Sequence, residues 1–230
     1  MEIERDKIYA VLTGDMVGSS KLETTDRKIL HDILESTSKE IVLQFPGDVP
    51  YRPYLYRGDS WQFVVTEPSS SLRIGLTFRT YLRSRMESKR IDTRISIGIG
   101  SISFIPPNNL SSGDGEAFRL SGIGLENMDK SSRMAISFPD RFEPDISASI
   151  QMIVKLIDLQ VKNWTERQSK VVSGALLGYT QKTIAENLFG NKISQQAVAQ
   201  HLDRAGWNSI ESGINFFEKK LNKIVNSNSH

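Results

Sequence analysis

Cysteine is absent from this 230-residue chain. That excludes disulfides and thiolate metal sites, and it fits a cytoplasmic setting. Histidine is scarce: His31, His201 and His230 are scattered, which argues against a histidine-rich zinc site. No apolar run approaches the roughly 20 residues needed to cross a bilayer, so a membrane role is not expected. The opening residues, Met1-Glu2-Ile3-Glu4-Arg5-Asp6, are charged and lack the apolar core of a signal peptide. No internal repeat is visible. Charge is not dominated by one sign, with 29 Lys and Arg against 27 Asp and Glu. The balance is uneven along the chain, however. Residues 1–145 carry 19 basic and 21 acidic side chains, whereas residues 146–230 carry 10 and 6. A basic final third hints at a polyanionic partner such as DNA, although a soluble basic face reads the same way.

What the chain does contain is a patterned first half. Apolar periodicity predicts a buried strand over 7–14, a helix over 24–43 and a hairpin from strands 51–57 and 61–66. A helix over 69–87, a strand over 92–104, a helix over 116–128 and a short strand over 133–138 follow. This β-α-β-β-α-β-α-β order contains the split pattern of ferredoxin-like folds. The expected class is therefore α+β: an antiparallel sheet with helices on one face over residues 1–145. Residues 139–145 read as a linker, and residues 146–230 as an all-α domain. Thr165, Thr180 and Ser194 stand as N-caps, and Gly178 and Gly206 as helix ends.

Two carboxylates carry the chemistry. Asp15 ends the first strand in Gly14-Asp15-Met16-Val17-Gly18-Ser19-Ser20, and Asp59 tips the hairpin in Arg57-Gly58-Asp59-Ser60. Side by side in the sheet, the ends of these strands can bring both acids to one pole. Two convergent carboxylates suit a hard cation, Mg²⁺ or Mn²⁺. A short Gly/Ser turn opening a helix suits phosphate oxygens, with the N–H groups of Val17, Gly18, Ser19 and Ser20 as the cradle. Either acid alone reads equally as a turn residue. Arg79, Arg83, Arg85, Lys89 and Arg90 read as a solvated helix face. Asp114 and Glu116 read as acids favoured at a helix N-terminus.

Gly14-Asp15-Met16-Val17-Gly18-Ser19 resembles the first-strand metal motif of class III nucleotide cyclases. Arg57-Gly58-Asp59-Ser60-Trp61-Gln62-Phe63-Val64 resembles their hairpin motif, and the 44-residue separation of the acids is similar to theirs. Arg94-Ile95-Ser96-Ile97-Gly98-Ile99-Gly100 is similar to the glycine-ending strand of those enzymes. Gly115-Glu116-Ala117-Phe118 opens a helix where they place transition-state residues. The likeness spans residues 7–128. The whole chain resembles more closely the SatD family, small bacterial proteins joining a cyclase-like domain to a C-terminal helix-turn-helix. The resemblance implies the palm-type fold shared with GGDEF proteins and many polymerases. It also implies a metal set of Asp15, Asp59 and Met16, a nucleoside triphosphate ligand, and a homodimer. Arg57 and Arg119 would be phosphate clamps. Two positions depart: Leu55 stands where cyclases carry a purine-selecting lysine. Arg119 and Ile123 align with their asparagine and arginine. Loss of that arginine counts against cyclisation.

Residues 164–207 resemble helix-turn-helix domains of sigma-factor and response-regulator type, with Ala185, Leu188, Ile193, Val198 and Leu202 as core. Gln195, Gln196 and Gln200 would face base edges, while Lys192 and Arg204 reach phosphates. The turn before Ser194 is longer than usual for the motif. The sequence therefore supports a DNA-binding regulator with a nucleotide–metal domain. Its alternatives are a nucleotidyl cyclase or oligonucleotide-forming nucleotidyltransferase, and a catalytically silent palm platform for dimerisation.

Overall fold

The computed structural model describes residues 3–4, 7–56, 58–85, 91–106 and 110–227. Five strands form one sheet: β1 (Ile8–Val17), β2 (Tyr54–Tyr56), β3 (Ser60–Val65), β4 (Asp92–Ser101) and β5 (Met134–Ser137). Their order is β2-β3-β1-β4-β5. The first four pair antiparallel, and β5 joins β4 in parallel. The sheet is therefore mixed rather than wholly antiparallel. β1 lies at its centre, as a strand buried at every position from Ile8 to Gly14 must. Three helices belong to this half: α1 (Thr24–Gln44), α2 (Ser71–Arg85) and α3 (Glu116–Glu126). Five follow: α4 (Pro144–Val161), α5 (Glu166–Leu176), α6 (Gln181–Phe189), α7 (Gln195–Arg204) and α8 (Trp207–Ser227). The α+β class holds, and every element expected in the first half forms.

The helices do not all take one face. Leu12, Ile95 and Met134 point to α2, where Gly75 lets the helix approach them, and α1 packs beside α2. Thr13, Gln62 and Ser96 share the opposite face, and Thr13 Oγ1 meets Ser121 Oγ of α3 at 2.8 Å. The cause is a sheet face stripped of bulk along β4. A Cβ at Gly98 would lie 2.2 Å from the Ala117 carbonyl oxygen. The missing side chain admits the α3 backbone itself. Gln62, Thr13 and Ser121 are joined in a chain on this face, with Gln62 Nε2 donating to Thr13 Oγ1 at 2.8 Å, whereas the buried Ser96 Oγ has no hydrogen-bond partner among the described residues.

The basic stretch on α2 also differs from expectation. Arg79 is fully buried, and Arg83 is mostly covered; Lys89 and Arg90 lie outside the described residues. Residues 71–82 are buried at all positions but Arg73, because α5 covers α2 on the side away from the sheet. A charge there needs charged partners. Arg79 donates to both oxygens of Asp92, each at 2.7 Å, and to Asp158 Oδ1 of α4 at 2.7 Å. Burial alone would push the Asp92 pKa up; Arg79 and then Arg83 outweigh it and hold the carboxyl below its usual range. Asp158 Oδ2 accepts the Arg133 N–H at 2.8 Å. One buried cluster thus ties α2, β4, β5 and α4 together.

The helix starts in the second half are those the caps foretell. Thr165 forms a reciprocal capping box with Gln168, Thr180 accepts from Thr183 N–H, and Ser194 from Ala197 N–H.

Candidate functional site

β1 runs three residues past the expected end, so Asp15 sits inside the strand rather than beyond it. Its register is fixed opposite Ser60 of β3 and Arg94 of β4. Gly14, which precedes it, is a packing requirement. A Cβ there would lie 2.2 Å from the Arg94 carbonyl and 2.3 Å from Trp61 Cζ2. The Trp61 ring crosses Gly14, and its Nε1 donates to Thr93 Oγ1 at 2.9 Å. Thr93 Oγ1 in turn donates to the Asp15 carbonyl at 2.8 Å. The backbone beneath the acid is therefore held from both neighbouring strands.

The hairpin tip is stitched to the same place. The Met16 N–H donates to the Asp59 carbonyl at 3.0 Å. Ser19 Oγ donates to Asp59 Oδ2 at 2.5 Å, and Ser60 Oγ to Asp59 Oδ1 at 3.3 Å. Met16, Ser19 and Asp59 thus meet at one end of the sheet, beside the backbone of Asp15. Val17, Gly18 and Ser20 belong to the same turn, which closes as a short 3₁₀ segment, Ser19–Lys21. Lys21 and Leu22 spend their N–H groups on Gly18 O and Ser19 O. Arg27 of α1 braces the turn by donating to the carbonyls of Ser20 and Leu22 at 3.1 and 3.0 Å. Arg57 lies outside the described residues.

The residue that sequence reading missed here is Arg94. Its Nε donates to Asp15 Oδ1 at 2.8 Å, and Nη2 pairs with Oδ2. The hydrogen bond to Asp15 raises the Arg94 pKa despite partial burial. The alternation Arg94, Ser96, Gly98 marks Arg94 as facing α3, but its meeting with Asp15 depends on a register that sequence does not state. Asp15 and Asp59 offer hard oxygen donors, and that chemistry fits Mg²⁺ or Mn²⁺. The geometry adds a condition: an ion must compete with a guanidinium for both oxygens of Asp15. Among the described residues, no group of three or more His, Asp or Glu gathers to hold a metal.

Arg119 is not brought to this pole. α3 runs antiparallel along β4, with Glu116 at Gly100 and the Leu125 carbonyl near Arg94. Arg119 sits in its early turns, exposed, paired with Asp114 at 3.0 Å. Glu116 is bound by Arg141 at 2.5 Å and accepts the Ser101 N–H at 3.3 Å, so it is more than a helix-terminal acid. Ile123 is exposed on α3, and Leu55 pairs with Trp61.

In the helical half, α5, α6 and α7 pack on one another, with Gly174 of α5 under Ile184 and Leu188. Lys192, Gln195, Gln196, Gln200 and Arg204 are all exposed, whereas Val198 and Leu202 are buried. Gly190–Ser194 separates α6 from α7, with Gly190 and Asn191 both at positive φ.

No protein-family model matches the chain, and no curated protein matches it. Solved structures do. The guanylyl cyclase Cya2 is 14% identical, covering 60% of this chain and 77% of its own, with a TM-score of 0.42. The dimeric guanylyl cyclase domain of the RhoGC fusion protein from the aquatic fungus Blastocladiella emersonii is 14% identical. It covers 59% of this chain and 82% of its own, at a TM-score of 0.46. A bacterial light-regulated adenylyl cyclase is 15% identical, covering 60% of this chain and 44% of its own, at 0.42. Similarity at this level carries nothing about ligand or activity.

Proposed function

We propose that the chain is a regulatory protein whose sheet domain, within residues 1–145, binds a nucleoside polyphosphate with Mg²⁺ or Mn²⁺. Its helical domain, 146–230, binds DNA. The observation that carries this reading is the stitching of the hairpin tip to β1. Met16 N–H to Asp59 O, and Ser19 Oγ to Asp59 Oδ2, tie the Asp59 tip and the Gly/Ser turn to the strand residue that follows Asp15. Asp15, Asp59 and the Met16 carbonyl would hold the ion, which when bound would neutralise polyphosphate charge. Val17, Gly18, Ser19 and Ser20 would offer N–H groups around the start of the 3₁₀ segment Ser19–Lys21. The exposed set on α7, with Lys192 and Arg204 at its ends, supports the DNA limb. A homodimer belongs to this reading because a single recognition helix reads only a half-site. The reading does not require catalysis: Arg119, expected as a phosphate clamp, sits in the early turns of α3, paired with Asp114.

A second reading, a silent palm platform, is favoured by one observation: Arg94 already satisfies Asp15. Thermal melts with a panel of nucleoside triphosphates and Mg²⁺ or Mn²⁺ separate the two. The first reading expects a rise on the order of 5–10 °C at hundredfold excess over Kd, requiring metal and nucleotide together. The rise is lost in Asp15→Asn and Asp59→Asn. No shift across the panel leaves the platform standing. Gel shifts at low salt test the DNA limb, because phosphate attraction is strongest there. Light scattering reports whether the particle in solution is one copy or two.

A further inference from the structure

The end of the sheet near Val17 and the helical half enclose a cavity of about 1350 Å³. Its floor comes from Ile91 and Asp92 at the start of β4 and from Arg83 and Ser84 of α2. Its far wall is the start of α5 and the α6–α7 turn. Neither Asp15 nor Asp59 lines it.

The charge around this space is one-sided. Six cationic side chains line it: Arg83, Arg133, Lys162, Arg167, Lys170 and Lys192. The acids in the lining are Asp92 and Glu166. Asp92 is already engaged by Arg79 and Arg83 within 2.7 Å, so it offers little to the rest. Among the described residues, the other five cations have no carboxylate in salt-bridge contact. Two of them turn to carbonyl oxygens instead. Lys162 Nζ donates to Ser131 O at 2.7 Å, and Arg133 Nη1 to Lys130 O at 2.8 Å and Ser132 O at 2.7 Å. Lys170 lies over the Phe189 ring, 4.8 Å from its centroid. The His201 imidazole, partly buried and facing Arg167 and Arg204, has its pKa pushed below the ordinary value. Burial is the larger cause, and the charges of Arg167 and Arg204 add to it.

We propose that this cavity is a ligand site for a small polyanion bearing two or more phosphate groups, separate from the acid pair on β1. Like charges gathered in a concave space repel one another and focus positive potential, so an anion stabilises them. Lysine and arginine are the residues that grip phosphate oxygens, Arg in a fork and Lys as a point charge. The space exceeds the roughly 300–1000 Å³ of ordinary small-ligand pockets, so a nucleotide-sized polyphosphate enters with its water. Because Arg83 and Arg133 belong to the sheet half, while Lys192 precedes α7 and His201 lies on it, such a ligand ties the two halves together.

The test is calorimetric titration of the full chain with inorganic tripolyphosphate, at about 50 mM salt where electrostatic binding is strongest. EDTA is included so that no metal bridges the acid pair. The expected result is one bound tripolyphosphate per chain. Arg167→Glu combined with Lys192→Glu weakens it about tenfold or more, on the scale of lost charge-assisted contacts. Asp15→Asn leaves it unchanged, as does Lys219→Glu on the exposed side of α8. Should the charge reversal disturb folding, by circular dichroism, Arg167→Gln with Lys192→Gln replaces it and must weaken binding in the same direction. The proposal is overturned by any of four results: no binding; unaltered binding in the double variant; loss in Asp15→Asn; or equal weakening in Lys219→Glu, which means diffuse attraction. A single-stranded oligonucleotide that binds while tripolyphosphate does not also overturns it, in favour of a nucleic-acid channel.

Discussion

Gly14 and Arg94 show how two side chains, one missing and one large, set the state of Asp15. The glycine makes room for Trp61, and Trp61 through Thr93 fixes the Asp15 carbonyl. Gly14→Ala puts a methyl group against backbone as well as the indole. Backbone cannot rotate away, so the cost is expected at about 3 kcal/mol, the upper range for overpacking. Urea denaturation measures it, and a variant within about 0.5 kcal/mol of the parent contradicts the packing argument. Arg94 acts on charge. Arg94→Gln removes a partly exposed ion pair worth under about 1 kcal/mol of stability. It also frees both oxygens of Asp15. Titration with Mn²⁺ should then show affinity on the order of tenfold higher, the size expected when one nearby cation is lost. Equal affinity in parent and variant means that Asp15 is not a metal ligand.

The element that most exceeds its sequence pattern is α2. Its apolar positions Leu72, Leu76 and Leu82 are readable as an inward stripe, and all are buried. Arg79 looks like solvent-facing punctuation between them, yet it is the charge at the centre of the molecule. Its partners explain why sequence is silent: Asp158 is 79 residues away, on a helix whose packing no local pattern announces. Caps are different, since Thr165, Thr180 and Ser194 act within three residues of themselves, and there the sequence names the helix starts. The α3 face is intermediate, because Ser96, Gly98 and Gly100 mark an unusual strand but not what fills the space. Arg79→Ala strands Asp158 without a cation and leaves Asp92 with Arg83 alone, and about 3–5 kcal/mol should be lost in chemical denaturation. Restoring stability by adding Asp92→Asn and Asp158→Asn checks that the loss is electrostatic. The pH dependence has a definite sign. The Asp92 carboxyl titrates below its usual range when folded. Its contribution is therefore present above the unfolded value and lost as pH falls below about 4. In Asp92→Asn that acid limb flattens; an unchanged limb assigns it to other carboxylates.

At the scale of the whole molecule, the two halves share more than a linker. Arg79 bridges Asp92 and Asp158, Arg83 donates to the Trp164 carbonyl at 2.5 Å, and Arg73 pairs with Glu218 of α8 at 2.7 Å. Three charged side chains of one helix thus find partners among residues 146–230. α5 and α8 also cover the faces of α2 that the sheet leaves open. A fragment ending at residue 145 keeps the sheet but exposes that apolar surface and leaves Arg79 short of one carboxylate, each a cost a marginally stable domain does not survive. The full chain should therefore melt in a single transition, with calorimetric and van't Hoff enthalpies equal. The fragment 1–145 should be insoluble or lack a cooperative melt. If the full chain shows two separated transitions, or the fragment folds cooperatively, the shared cluster is a surface contact between independent domains. Coupling through it then cannot carry a ligand's effect from the cavity to α7.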